Sequence, residues 1–83
     1  MNIRIRYFAS IREAVGQAGE ALSTRSETLG ALRDELVARG EPYASALARS
    51  RPVRMALDQD MSDEGAALRE GCEVAFFPPV TGG

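Results

Sequence analysis

The chain has 83 residues, 45% of them apolar and 27% charged, and a net charge of −2. That is room for one domain with a modest core, and the interleaved acids and arginines offer no basic stripe to neutralise nucleic-acid phosphates. Histidine, lysine and tryptophan are absent, all ten basic residues are arginine and Cys72 is the single cysteine. This leaves too few ligands for a soft-metal site, no imidazole or amine for catalysis, and no internal disulfide. A self-sufficient enzyme is therefore not expected. No apolar run approaches the roughly 18 residues that span a bilayer. Met1 to Arg6 alternates instead of forming the apolar block of a secretory signal, so the expected location is the cytoplasm.

In chain order, residues 2–8 predict a strand, with Ile3, Ile5 and Tyr7 on one face and Arg4 and Arg6 on the other. A helical turn over 10–15 is ended by Gly16, and residues 20–25 form a weakly patterned second strand. The clearest helix runs over 29–39, capped by Thr28, with Leu29, Leu32 and Leu36 on one face and Gly40-Glu41-Pro42 as its stop. A short helix over 43–49 precedes a strand over 53–57, and Asp58-Gln59-Asp60 reads as a turn. Residues 66–71 read as one helical turn with a glycine stop. The last strand, 73–77, is apolar on both faces and belongs at the centre of its sheet. This order predicts an α+β domain over residues 1–77, a small mixed sheet with one main helix packed across it.

Residues 78–83, Pro78-Pro79-Val80-Thr81-Gly82-Gly83, predict an extended tail. Two prolines hold a polyproline-like backbone and cannot continue a sheet ladder. Gly82 and Gly83 carry no side chains, so such a backbone can thread a narrow channel in another protein. The tail therefore reads as a carboxylate delivered as a chemical handle.

With Phe76 and Phe77 in front of it, that tail resembles the terminal signature of the small subunit of molybdopterin synthase, the MoaD family of MoaD/ThiS ubiquitin-like sulfur carriers. Leu68 to Ala75 is similar to the family's approach to its last strand, and Tyr7-Phe8-Ala9-Ser10-Ile11-Arg12-Glu13 to its first strand and following turn. The resemblance spans the chain, with its specificity at the two ends. Cys72 stands where the family usually has an acidic residue.

The resemblance implies a ubiquitin-like β-grasp and a sulfur-transfer role. Gly83 would be adenylated by an E1-like, MoeB-like adenylyltransferase that uses ATP and magnesium, then converted to a thiocarboxylate. A MoaE-like large synthase subunit would receive the tail, and the sulfur would attack cyclic pyranopterin monophosphate in molybdenum cofactor biosynthesis. The chain itself would bind no cofactor, metal, nucleic acid or membrane. Phe8, Met61 and Phe77 are expected to form an apolar docking patch, with Met61 reaching it from a loop, and Pro78 to Gly82 to contact the partner. Ordinary core packing, or isolated surface apolarity for Met61, is the alternative for each. Cys72 reads as a small buried hydrophobe and not a sulfur relay. The alternatives are a thiamine-pathway sulfur carrier, a ubiquitin-like protein modifier and a plain β-grasp interaction module with an idle tail.

Overall fold

The computed structural model describes residues 1–79. The first strand, β1 (Asn2–Tyr7), buries Ile3, Ile5 and Tyr7 and exposes the residues between them. Helix α1 (Ala9–Val15) follows and ends at Gly16, whose φ of +88° closes it in the left-handed region open to glycine. Strand β2 (Gly19–Ser23) runs antiparallel to β1 in the register Ile3 to Leu22 and Ile5 to Glu20. A Cβ at Gly19 would lie 2.5 Å from the Ile5 carbonyl oxygen, so the close strand approach demands glycine there.

Helix α2 (Leu29–Val37) begins as predicted: Thr28 Oγ1 accepts a hydrogen bond from the Ala31 N–H at 3.1 Å. Leu29, Leu32 and Leu36 are fully buried and share one core with Ile3, Ile5, Tyr7, Val74 and Phe76 on the inner face of the sheet. Helix α3 (Tyr43–Ala46) stops short of the predicted residue 49. Buried Arg33 explains the early stop. It donates to the Leu47 carbonyl at 2.7 Å, the Ala48 carbonyl at 2.6 Å and the Arg51 carbonyl at 3.1 Å, which ties the chain after α3 to α2.

Strand β3 (Arg54–Leu57) pairs antiparallel with β4 (Asp60–Ser62), a strand the sequence pattern did not reveal. Asp58 and Gln59 join them with φ of +49° and +72°, the two left-handed residues of a tight hairpin turn. The last strand, β5 (Glu73–Phe77), lies between β1 and β3, parallel to the first and antiparallel to the second. The sheet order is β2-β1-β5-β3-β4, so the prediction of a central last strand holds.

The predicted helical turn over 66–71 is a correction. Ala67 instead bridges Thr28, the Leu29 N–H bonds the Ala66 carbonyl at 3.1 Å and the Leu68 N–H bonds the Glu27 carbonyl at 2.8 Å. This pairing with the entry to α2 also buries Leu68, and it outcompetes a single local helical turn, which is costly to nucleate. Gly71, at φ +79°, then turns the chain into β5.

Phe76 is fully buried and stacks on Tyr7 at 6.2 Å between ring centroids. Phe76→Ala should cost about 3–5 kcal/mol. Urea unfolding followed by circular dichroism should show a large drop in midpoint, whereas loss of the Thr28 cap in Thr28→Ala should cost only about 1 kcal/mol.

Candidate functional site

Both ends of the domain meet at one edge of the fold. The Phe8 N–H donates to the Phe76 carbonyl at 3.1 Å, which sets Phe8 beside the end of β5, next to Phe77. Phe8 keeps the extended backbone of β1, and the chain turns only at Ala9, whose φ of +51° is unusual for a residue with a side chain. Among the described residues three large apolar side chains are exposed, Met1, Phe8 and Met61. Two of them, Phe8 at 39% and Met61 at 62%, border the same depression as half-buried Phe77. The expected patch of Phe8, Met61 and Phe77 is therefore brought together on the outer face of the sheet. Met61 reaches it from β4 and not from a loop.

The register explains the shape of the depression. Arg6 pairs with Ala75, Ala75 with Ala56 and Ala56 with Met61, giving one row across β1, β5, β3 and β4. The two alanines floor a shallow trough of ≈ 490 Å³. Arg6 and Met61 wall it, the two phenylalanines close one end, and Gln59 and Glu73 line the rest. The Arg6 guanidinium carbon lies 5.2 Å from the centre of the Phe8 ring, in cation–π range, and its Nη1 is 4.0 Å from Glu73 Oε1. Sequence reading missed Ala56, Ala75 and Arg6. Small residues on the outward side of two strands were the available signal, but only the pairing of β3 with β5 makes them neighbours.

Asp58 holds the hairpin that presents Met61. Its carboxylate accepts from the Glu73 backbone N–H at 2.9 Å and from Arg69 Nη2 at 2.8 Å. The backbone bond, followed by the arginine, holds its pKa below the usual carboxylate range.

Pro78 and Pro79 are half-buried and line a hollow of ≈ 130 Å³ with Ile11 and Ala14 of α1 and with Pro52 and Val53. The described start of the tail is thus seated against the domain. Val80, Thr81, Gly82 and Gly83, named from the sequence as partner-binding and reacting residues, lie outside the described residues.

Other polar groups serve the fold. Glu20 accepts from Tyr7 Oη at 2.9 Å, Gln17 Nε2 at 2.9 Å, Tyr43 Oη at 3.1 Å and Arg39 Nη1 at 2.9 Å. Burial, reinforced by the bond to Glu20, pushes the Tyr7 phenol well above its ordinary value, so it stays a protonated donor. Cys72 is buried, as expected of a small hydrophobe. Among the described residues no group of three or more His, Cys, Asp or Glu side chains could hold a metal ion, and no helix is long and apolar enough to cross a membrane.

A five-strand mixed sheet wrapped on one main helix, with its last strand leading into a tail, is the ubiquitin-like β-grasp. The chain belongs to the ThiS family, whose model matches residues 5–83. It is 37% identical over 81 residues to the molybdopterin synthase sulfur carrier subunit of Escherichia coli, covering 98% of this chain and 99% of that one. It is also 30% identical over 97 residues to small archaeal modifier protein 3 of Haloferax volcanii, with all of both chains covered. Among solved structures, it matches a chain of the complex of subunits 1 and 2 of molybdopterin-converting factor from Helicobacter pylori. The TM-score is 0.68 at 20% identity, over 100% of both chains.

The Asp58 contacts predict a pH dependence. A carboxylate whose pKa is lowered by folding contributes stability above its unfolded value of about 3.9, and loses it as pH falls through the folded value. Asp58→Asn should therefore lower the melting temperature at pH 6, and the difference from wild type should shrink as pH falls below about 4. Thermal unfolding of both proteins across that range checks it.

Proposed function

We propose that this chain is the sulfur-carrier subunit of a molybdopterin synthase and that the Gly83 carboxylate is its working group. The observation that carries the reading is the full-length relation to a molybdopterin synthase sulfur carrier, together with the terminal run Phe76-Phe77-Pro78-Pro79-Val80-Thr81-Gly82-Gly83. A thiamine-pathway carrier would share the family, but the 37% relative bears the molybdopterin name.

An α-carboxylate is ionised and unreactive at neutral pH. An E1-like enzyme would activate it: the carboxylate oxygen attacks the α-phosphorus of magnesium-bound ATP and pyrophosphate leaves. Hydrosulfide from a sulfur source then attacks the acyl carbon, the C–O bond to AMP breaks as AMP leaves, and loss of the S–H proton makes the terminus a thiocarboxylate. In the large synthase subunit that sulfur attacks cyclic pyranopterin monophosphate, and hydrolysis returns Gly83 to the carboxylate. A dithiolene holds two sulfurs, so two loaded carriers serve each product. The chain supplies the reacting atom, and its partner supplies the acids, bases and pocket, which suits a sequence without histidine or lysine.

The domain's part is placement. Four residues follow Pro79, a contour of at most about 14 Å, so the partner's reaction centre must lie within that distance of the seated prolines. The apolar patch beside the tail root gives both partners a surface to hold while the tail is engaged. The Helicobacter pylori relative, solved as a complex of two subunits, supports a large-subunit partner.

The test is the intact mass of the chain after incubation with its host's E1-like enzyme, ATP, magnesium and a sulfur source. The expected result is a gain equal to sulfur replacing one oxygen, localised to Gly83 and lost on adding the large subunit with precursor. Deletion of Gly83 should abolish it. The similarity to small archaeal modifier protein 3 favours one second reading, a protein modifier joined through Gly83 to target lysines. Adducts on protein lysines, with no sulfur gain in a demonstrably active system, would establish that instead.

A further inference from the structure

The outer face of the sheet carries a charge balance opposite to that of the chain. On the outward positions of β1, β3 and β5 stand Arg4, Arg6 and Arg54 against Glu73, whereas the whole chain is at −2. Arg6 lies closest to the apolar patch, since it walls the trough whose floor is Ala56 and Ala75. Its guanidinium rests on the Phe8 ring at 5.2 Å, and its nearest carboxylate, on Glu73, is 4.0 Å away, beyond hydrogen-bond range. Among the described residues the Arg6 side chain donates no hydrogen bond, and it is 55% exposed. Five N–H donors are therefore presented to water at the lip of an apolar surface, by a side chain already oriented by its neighbours.

Covering the trough would take that water away. A guanidinium desolvated without acceptors costs several kcal/mol, and a carboxylate 4.0 Å off offsets only part of that. A partner that docks here must therefore bring its own acceptor to Arg6. We infer that Arg6 is a specificity-determining residue of this docking face, and that the large synthase subunit seats an apolar side chain over Ala56 and Ala75 with a carboxylate beside it that pairs with Arg6. This rests on the sulfur-carrier reading above. Arg54, exposed on β3 opposite Phe77, does not line the trough and acts as a rim charge that speeds encounter with the same acidic surface.

The two arginines make separable kinetic contributions. Loss of a pair buried at the centre of an interface appears in dissociation, and loss of a rim charge in association and its salt dependence. The experiment is surface plasmon resonance between the full-length chain and the large subunit of the same organism, at low and at moderate salt. Arg6→Gln should raise the dissociation rate by about tenfold or more. Arg54→Gln should slow association and flatten its salt dependence, leaving dissociation near wild type. Both variants should melt with the wild type, because both side chains are exposed.

If Arg6→Gln binds as well as wild type, or more tightly, while Phe8→Asp abolishes binding, no partner carboxylate meets Arg6 and the inference is overturned with the carrier reading intact. If Phe8→Asp and Phe77→Asp also bind normally, docking does not use this face and the inference falls with it. In that case the mass measurement on Gly83 alone decides the carrier role.

Discussion

The parallel pairing of β1 with β5 is the contact on which the rest of the molecule depends, because it joins the chain's first strand to its last. The Arg4 N–H bonds the Cys72 carbonyl at 3.0 Å at one end of the pairing, and the Phe8 N–H bonds the Phe76 carbonyl at 3.1 Å at the other. Between them Ile5 lies beside Val74 and Tyr7 beside Phe76, all four buried. A parallel pair cannot be closed by a tight turn, so everything from α1 to Gly71 acts as the crossover. That segment repays its length by folding α2 over the inner face, where three leucines complete the core.

The same pairing builds the site. Because β5 is central, its outward residues are flanked on both sides: Ala75 by Arg6 and Ala56, and Phe77 by Arg54. Because Phe8 directly follows β1 where Phe77 ends β5, two aromatic rings stand at the point where the tail begins. Strand β5 is paired on both sides, with β1 and with β3, and Pro78 and Pro79 continue from it against α1.

Where sequence reading went astray, tertiary pairing overrode a weak local preference. Residues 66–71 have a composition that suits a helical turn, but one turn fixes several residues for a single hydrogen bond. Pairing with the entry to α2 satisfies the same backbone groups and buries Leu68 as well. Strand β4 was invisible because it spans only Asp60–Ser62 and its turn is Asp-Gln, not the Asn-Gly or Asp-Gly that would announce a hairpin. The bonds from Asp58 to the Glu73 N–H and to Arg69 hold that turn from outside it, and no short-range pattern could display them.

Periodicity, capping and composition were enough to determine the elements of this protein that carry their own signal. The alternation in β1, the leucine stripe of α2 behind Thr28 and the two-faced apolarity of β5 are each set by neighbours within a few residues. The chemistry excluded by a lack of histidine and lysine is likewise a property of the list of residues. What the tertiary structure alone decided is adjacency. Arg6, Ala56, Met61 and Ala75 come from four strands, and only the register of those strands places them in one row. The physical reason is that side-chain pattern specifies which face of a strand is buried, whereas long-range pairing specifies which strand lies beside which.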